Sequence, residues 1–199
     1  MVKALIFDIG GVTVLPGSTK ELRRKYSKIL NRDSQKFDSI WFKYYPSLRI
    51  GKIKIKKFWD NILSDLNKDY DIKKLNKIMY MYGKSNKNIL NFIGSNNKEY
   101  RTAALTNNIK EWFGVHKKRF NLGKYFDIII TSFDTGLAKP DKKIYLLTLK
   151  RLKLKPNECL FIDDYESNIN AAKKLGMKTI LYKNFKQFKT DFNKIIKNG

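Results

Sequence analysis

Five short apolar runs, separated by longer stretches of helical periodicity, are the feature that most constrains the fold of this chain. The runs lie at 2–7, 102–105, 126–130, 159–162 and 179–182. Nearly every position in them is apolar, as expected for parallel strands that are covered on both faces. Strands that alternate with helices in this way predict an α/β fold with a doubly wound, five-stranded parallel sheet.

The segment between the first two runs carries no comparable strand. Apolar residues recur there at helical spacing, and Ser18 and Glu21 have the spacing of a capping box that would open the first helix. We therefore predict an all-helical cap at 16–83 and an α/β core domain formed by 1–15 and 84–199. A helical block inserted after the first strand would lie over the strand ends, where open α/β sheets bind their ligands.

The charge of the chain is strongly positive, with 42 Lys and Arg against 18 Asp and Glu, which gives a formal net charge of +24. Such a charge suggests nucleic acid as a partner. The lysines are scattered over the whole sequence, however, and no basic tail concentrates them. We favour an interpretation in which the charge attracts small anionic molecules, and nucleic acid remains the less favoured partner.

The cellular location is suggested by two further features. A single cysteine, Cys159, excludes an intrachain disulfide, and its apolar neighbours indicate a buried thiol rather than a nucleophile. The apolar run at 2–7 is too short for a signal sequence or a membrane span. We expect a cytoplasmic protein without a membrane partner; its oligomeric state does not follow from the sequence.

Polar clusters follow the first two strands directly. Asp8 ends the first run and is followed by Gly10 and Gly11, which allow the backbone to approach a ligand, although Asp-x-Gly-Gly is also ordinary turn chemistry. The sequence Thr106-Asn107-Asn108 ends the second run. Its hydroxyl and the amides of a following helix could hold an anion.

Two more clusters complete the pattern. Lys139 precedes Pro140 at the start of a helix, where a cation can meet a bound phosphate, although a lysine in this chain could equally be ordinary surface. Asp163 and Asp164 end the fourth apolar run. Adjacent carboxylates repel each other unless a cation lies near them, so the pair favours a hard metal ion such as Mg²⁺; an exposed turn is the alternative.

In this order, the four clusters resemble the signature motifs of the haloacid-dehalogenase-like hydrolases. The resemblance extends to Ile144-Tyr145 after Lys139-Pro140, and to Ala171-Ala172 and Leu175-Gly176-Met177 after Asn168. It is strongest to a subgroup of small-sugar and nucleotide-like phosphatases that includes proteins similar to α-D-glucose-1-phosphate phosphatase. The resemblance implies an Mg²⁺-dependent phosphatase that hydrolyses a small phosphorylated metabolite through an aspartyl-phosphate.

The resemblance also implies a role for each matching residue. Asp8 would be the nucleophile, and Thr106 and Lys139 would neutralise the phosphoryl oxygens. The remaining roles concern the metal and the phosphate: metal ligation by Asp8, the Gly10 carbonyl, Asp163 and Asp164; support of the metal loop by Asn168; and phosphate binding by Gly10, Gly11, Asn107 and Asn108.

The sequence departs from the family pattern at Gly10. Most phosphatases of the superfamily carry a second aspartate two residues after the nucleophile as general acid/base, and loss of such a group typically costs about a hundredfold to ten-thousandfold in rate. The gap favours a substrate with a good leaving group, such as a sugar phosphate esterified at the anomeric carbon, or a substitute group. His116 is the only imidazole, but its position beside Lys117 and Lys118 is typical of a solvated helix residue.

Substrate choice is expected to lie in the cap. Trp41, Tyr44, Tyr45 and Arg49, with the turn at 51–52, form the candidate patch, in which Arg49 could bind an anion. Aromatic residues at helical spacing are more often the core of such a block, and this applies most strongly to Trp41.

Two alternatives to the phosphatase stay open from the sequence. A 2-haloacid dehalogenase shares the aspartate nucleophile but needs no metal, which the Asp163-Asp164 pair argues against. A catalytically impaired binding or regulatory protein with nucleic-acid affinity is consistent with Gly10 and with the positive charge.

Overall fold

The computed structural model describes residues 1–197 and contains a five-stranded parallel sheet. In chain order its strands and those of a small two-stranded antiparallel sheet are β1 (Ala4–Phe7), β2 (Val14–Leu15), β3 (Lys84–Ser85), β4 (Arg101–Thr106), β5 (Ile128–Thr131), β6 (Cys159–Asp163) and β7 (Lys178–Leu181). The large sheet has the order β5-β4-β1-β6-β7, and β2 pairs with β3. The strand order reverses on either side of β1, so the doubly wound sheet that the sequence predicts is confirmed.

Helices cover both faces of the sheet and form a separate block between β2 and β3. Their bounds are α1 (Lys20–Ile29), α2 (Ser34–Arg49), α3 (Ile55–Asp65), α4 (Ile72–Met81), α5 (Lys87–Asn96), α6 (Lys110–Arg119), α7 (Ser132–Thr135), α8 (Lys142–Leu152), α9 (Glu166–Lys174) and α10 (Phe185–Lys197). Alternate residues of β1 enter opposite cores: Leu5 and Phe7 pack with residues of α5 and α10, whereas Ala4 and Ile6 pack with residues of α8 and α9. Both faces of the sheet are therefore covered by apolar side chains, which explains why the apolar runs in the sequence are unbroken.

The block of α1 to α4 has its own hydrophobic core. Trp41, Trp59 and Tyr26 are fully buried in it, and Trp41 stacks on Tyr26 with 5.9 Å between the ring centroids. Ile109 and Trp112, which lie outside the inserted block, pack against this core. The helical character expected of the inserted segment is thus observed, while its division from the core at 15/16 and 83/84 stays a prediction.

Local details at the start of α1 differ from the expected capping box. The N-cap residue is Thr19, whose side chain makes no capping hydrogen bond, and the amide of Lys20 donates instead to Ser18 Oγ at 3.1 Å. Thr19 Oγ1 accepts a hydrogen bond of 2.7 Å from Arg23. The threonine hydroxyl is thus engaged by a side chain of the next turn rather than by the helix amides.

Within residues 1–197, the helices are all too short or too polar to pass through a lipid bilayer.

Candidate active site

Asp8 lies at the carboxyl end of the central strand, immediately after β1. Because β1 pairs with β4 on one side and β6 on the other, the residues that follow these three strands meet at one edge of the sheet. Asp8 is only 7% exposed, and the amide of Ile9 donates a 2.6 Å hydrogen bond to its Oδ1. One oxygen of the carboxylate is therefore held by the backbone.

Asp163 and Asp164 at the end of β6 complete a cluster of carboxylates. Ligand oxygens of Asp8, Asp163 and Asp164 all lie within 4.8 Å of one another. The two neighbours differ in their surroundings. Asp163 is fully buried and accepts hydrogen bonds from the Tyr165 amide at 2.8 Å and from Asn168 Nδ2 at 3.0 and 3.1 Å. Oδ1 of Asp164 is also buried, but within the described residues it has no hydrogen-bond partner.

Lys139 connects the carboxylates. Its Nζ lies 3.0 Å from Asp8 Oδ1 and 2.7 Å from Asp163 Oδ2, and it donates to the Leu105 carbonyl oxygen at 2.8 Å. The side chain is buried, so the ammonium uses all three of its donors within the protein. Asn107 fixes the backbone of Lys139: its Nδ2 donates to the Lys139 carbonyl at 2.8 Å, and its Oδ1 accepts from the Lys139 amide at 2.9 Å.

The electrostatics of the cluster follow from burial and like charge. Burial raises the pKa of Asp8 to about 7, since the lowering effect of Lys139 does not offset it. Burial, with the charge of Asp163, raises the pKa of Asp164 to about 6. Burial alone would lower the pKa of Lys139, but Asp8 and Asp163 outweigh it and raise the pKa above its ordinary value. Negative charge is thus in excess here, and a divalent cation would relieve it.

Two glycines make room for Asp164. A Cβ at Gly11 would lie 2.0 Å from Asp164 Oδ2, and a Cβ at Gly17 would lie 2.5 Å from the same oxygen. Gly11 also has a φ of 81°, which disfavours other residues. The backbone of the segment between β1 and α1 therefore contacts the carboxylate directly.

A cavity of about 450 Å³ opens over the cluster and extends beneath α1 and α2. It is lined by side chains and backbone from both halves of the molecule: Asp8, Gly10, Gly17, Ser18, Thr19, Lys20, Arg23, Phe42, Tyr45, Pro46, Arg49, Asn107, Lys139, Pro140, Tyr165, Ser167 and Asn168. The volume lies within the range of about 300–1,000 Å³ typical of small-molecule sites.

The structure brings six of the predicted site residues to the lining of this cavity: Asp8, Gly10, Arg49, Asn107, Lys139 and Asn168. Five lie outside that lining: Gly11, Thr106, Asn108, Asp163 and Asp164. Thr106 is the last residue of β4 and is 1% exposed. Asn108 is buried. Its side-chain Oδ1 accepts a hydrogen bond from the backbone amide of Ile109 at 2.9 Å, and its backbone amide donates to Ser132 Oγ at 3.0 Å. Among the described residues, neither belongs to the cavity wall.

The expectation that His116 is solvated is wrong. The imidazole is 3% exposed, and its Nε2 lies 2.8 Å from Trp112 Nε1 and 2.7 Å from the Tyr82 carbonyl oxygen. Its place at the junction of α4 and α6 results from the inserted helices folding back on α6. The residue stays outside the wall of the cavity.

The cap patch divides into core and cavity residues. Trp41 is fully buried in the helical core, and Tyr44 donates to Asp65 at 2.9 Å, whereas Tyr45 and Arg49 line the cavity. Arg23, Tyr165 and the segment at 17–20 also line the cavity and were not predicted as site residues from the sequence. For the segment at 17–20, the Leu-Pro-Gly-Ser turn at 15–18 was the one local signal in the sequence. Contacts between residues that are distant in sequence produce no periodic pattern from which a cavity could be predicted.

Comparison with known proteins agrees with this architecture. The sequence model described as haloacid dehalogenase-like hydrolase matches residues 45–182. The HAD family enzyme bt-2542 from Bacteroides thetaiotaomicron superposes with a TM-score of 0.81 at 23% identity, over 92% of this chain and 94% of that one. A structure of the same enzyme in complex with magnesium and inorganic phosphate gives a TM-score of 0.78 at 24% identity, over 92% and 95% of the two chains.

Curated relatives match over shorter segments. The phosphorylated carbohydrates phosphatase of Thermotoga maritima is 38% identical over 63 residues, which is 32% of this chain and 29% of that protein. Bifunctional epoxide hydrolase 2 of Rattus norvegicus is 40% identical over 91 residues, which is 42% of this chain and 16% of that protein. The chain thus spans less than a third of either relative. Since the family model covers more than half of the sequence, this chain belongs to the haloacid dehalogenase-like hydrolases.

Proposed function

We propose that this chain is an Mg²⁺-dependent phosphatase of small phosphorylated metabolites in which Asp8 is the nucleophile. The observation that carries the proposal is the convergence of Asp8, Asp163 and Asp164 within 4.8 Å around a buried Lys139. Phosphoryl transfer needs a positioned nucleophile and positive charge near the phosphoryl oxygens, and this arrangement offers both.

The residues present fit a magnesium ion. Mg²⁺ prefers carboxylate and carbonyl oxygens, and the buried Oδ1 of Asp164, which has no hydrogen-bond partner in the part of the chain that the structure describes, is such an oxygen. Asp8, Asp164 and the Gly10 carbonyl would hold the ion, which would supply positive charge next to the transferred phosphoryl group. Asp163 uses its oxygens on Lys139, Tyr165 and Asn168, so we assign it chiefly to positioning the lysine.

The chemistry of the chain's own residues has two steps. A carboxylate oxygen of Asp8 attacks phosphorus, the P–O bond of the ester breaks, and its electron pair goes to the leaving oxygen. Water then attacks phosphorus of the aspartyl-phosphate, and the bond to Asp8 breaks to restore the carboxylate and release inorganic phosphate. Lys139 Nζ, 3.0 Å from Asp8 Oδ1, orients the nucleophile and balances the charge that develops on the phosphoryl oxygens.

Gly10 narrows the range of substrates. No side chain at this position can protonate the leaving oxygen, so esters whose leaving group needs little help should react best. A phosphate at the anomeric carbon of a sugar is of this kind. The phosphorylated-carbohydrate phosphatase among the relatives supports the same substrate class.

The dehalogenase and the binding protein remain the competing functions. A dehalogenase does not need a metal ion, so it would not require the three clustered carboxylates of Asp8, Asp163 and Asp164. A binding protein would not require a buried carboxylate such as Asp8 paired with Lys139. Both alternatives predict no Mg²⁺-dependent release of phosphate, and the binding protein also predicts a salt-dependent gel shift with RNA or DNA.

The test is hydrolysis of p-nitrophenyl phosphate by the wild-type protein and by Asp8→Asn, each with Mg²⁺ and with EDTA. We expect wild-type turnover that EDTA abolishes, and no turnover by Asp8→Asn, because an amide oxygen is too weak a nucleophile. Circular dichroism provides the control that the variant is folded. Full activity of Asp8→Asn would remove Asp8 from the chemistry, and activity indifferent to EDTA would remove the metal.

A further inference from the structure

Arg49 is a cation in the wall of the cavity that has no counter-ion among residues 1–197. It is the last residue of α2 and lines the cavity together with Asp8. Its Nε is buried and has no hydrogen-bond partner among residues 1–197, and none of their carboxylates forms an ion pair with its guanidinium. The charge of the guanidinium is therefore not neutralised by a carboxylate of the described residues, and an anion bound in the cavity could pair with it.

Arg23, which lines the same cavity, is different. Its Nε and Nη2 donate to the two oxygens of Asp38 at 2.7 and 3.1 Å, and its Nη1 donates to Thr19 Oγ1 at 2.7 Å. The charge of Arg23 is therefore neutralised within the helical block. Of the two cavity arginines, only Arg49 has its charge available for a ligand.

The backbone of Arg49 is held against the sheet-containing part of the molecule. Its carbonyl oxygen accepts a 2.6 Å hydrogen bond from Ser132 Oγ. Gly51, two residues on, has a φ of 75°, and a Cβ there would lie 2.5 Å from the Phe133 carbonyl oxygen. These contacts fix the base of the arginine side chain relative to the strand edge that carries Asp8.

We propose that the substrate carries a second anionic group, a carboxylate or a second phosphate, which Arg49 binds while the reactive phosphate lies at Asp8. This inference rests on the proposed phosphatase function and extends it to the class of substrate. The planar guanidinium binds either anion with two parallel hydrogen bonds. The guanidinium carbon of Arg49 lies over the ring of Tyr45, 6.0 Å from its centroid, and this cation–π contact helps to hold the arginine in place.

Matched pairs of substrates test the proposal. Glycerol 3-phosphate and 3-phosphoglycerate differ by one carboxylate, and glucose 1-phosphate and glucose 1,6-bisphosphate differ by one phosphate. We expect the wild-type kcat/KM to favour the more anionic member of at least one pair by about 10- to 100-fold, the range of hydrogen bonds to a charged group. Arg49→Met should bring this ratio close to 1, and Arg49→Lys, which keeps the charge but loses the planar fork, should give an intermediate ratio.

Lys36→Met is the matched control. Lys36 is an exposed cation on the same helix, outside the cavity, so its loss changes net charge by the same amount. We expect the preference ratio to survive in this variant. Measurable but equal wild-type turnover within both pairs, or a preference that persists in Arg49→Met, would overturn the proposal.

A binding measurement separates this inference from the phosphatase function. In the Asp8→Asn background, 3-phosphoglycerate or glucose 1,6-bisphosphate should raise the melting temperature more than its less anionic counterpart, and Asp8→Asn/Arg49→Met should lose that difference. If the wild type hydrolyses nothing yet shows the difference in binding, the phosphatase proposal fails and the Arg49 inference stands. If turnover is observed but the binding difference is absent, the Arg49 inference fails alone.

Discussion

At the scale of single residues, the most informative position is Gly10. Within residues 1–197, the nearest contact of an added Cβ would be the Gly17 carbonyl oxygen at 3.9 Å, and Gly10 is not among the glycines with positive φ. Gly11 next to it is the opposite case, with a positive φ and no space. The absence of an acid at position 10 is therefore not imposed by packing or by the backbone.

Gly10→Asp is expected to fold and to gain activity on esters with poor leaving groups. A carboxyl group here would line the cavity two residues from Asp8 and could protonate the leaving oxygen, an effect typically worth about 10²- to 10⁴-fold. The measurement is kcat for a simple alkyl phosphate relative to p-nitrophenyl phosphate, whose phenolate needs no proton. Gly10→Asn is the control of equal size, and an equal gain from Asn would show that proton transfer is not the cause.

The sequence predicted the carboxylates but could not rank them. Asp163 and Asp164 are neighbours in the sequence. Asp163 is bound by Lys139 and Asn168, whereas Oδ1 of Asp164 has no hydrogen-bond partner among the described residues. That difference depends on which way each side chain leaves the strand end and on the helices that approach it. Both are consequences of the tertiary fold, so no local pattern contains them.

At the scale of elements, the segment between β1 and α1 is shaped around Asp164. Gly11→Ala should disturb it, because the new Cβ would lie 2.0 Å from Asp164 Oδ2 and the φ of 81° would be strained. We expect the thermal stabilisation by Mg²⁺ to be lost and phosphatase activity to fall at least tenfold, or about 1.4 kcal/mol. Differential scanning fluorimetry across a Mg²⁺ titration measures the first effect.

Gly114→Ala is the control for that experiment. Gly114 lies inside α6, and an added Cβ would have no neighbour within 4 Å among the residues that the structure describes. Helix propensity predicts a gain of up to about 1 kcal/mol, with the response to Mg²⁺ intact. If Gly11→Ala responds to Mg²⁺ as this control does, the contact between Gly11 and Asp164 has no part in metal binding.

At the scale of the whole molecule, His116 joins the inserted helices to the core. It lies on α6, and its Nε2 faces both Trp112 Nε1 and the carbonyl oxygen of Tyr82 at the end of α4. Burial lowers the pKa of His116 below its ordinary value of 6.5; the Tyr82 carbonyl opposes this and Arg119 adds to it. The neutral imidazole can accept from Trp112, whereas the protonated ring can only donate.

The sign of the pH dependence follows from this depressed pKa. The unfolded chain takes up the proton near pH 6.5 and the folded chain only at lower pH, so the stability contributed by His116 is present above about 6.5 and lost as the pH falls. Because this is the only histidine, its ring-proton NMR signal reports the folded pKa directly. A folded pKa at or above 6.5 would contradict the expectation.

His116→Gln isolates the same effect in stability. Asp8 and Asp164 have raised pKa values and change stability in the opposite sense, so the difference between the wild type and the variant is the quantity to compare. We expect the free energy of unfolding of the wild type to exceed that of the variant most at pH 8, and the gap to shrink towards pH 5. Urea denaturation at several pH values measures it.

The fold as a whole was predictable because it rests on periodicity. The unbroken apolar runs at 2–7, 102–105, 126–130, 159–162 and 179–182 placed every strand of the large sheet within two residues of its observed bounds. The burial of His116 and the division of labour between Arg23 and Arg49 were not predictable. They depend on contacts between residues that are distant in sequence, such as Arg23 with Asp38 and His116 with Tyr82.

The Ser132 hydroxyl accepts from the Asn108 amide and donates to the Arg49 carbonyl, and so ties the end of α2 to the loops after β4 and β5. Any outward swing of the helical block must strain this tether before the cavity opens widely. Such a movement would also carry Arg49 away from Asp8. Opening of the cavity and loss of the Arg49 binding position would then occur together, when the hydrogen bond from Ser132 Oγ to the Arg49 carbonyl oxygen breaks.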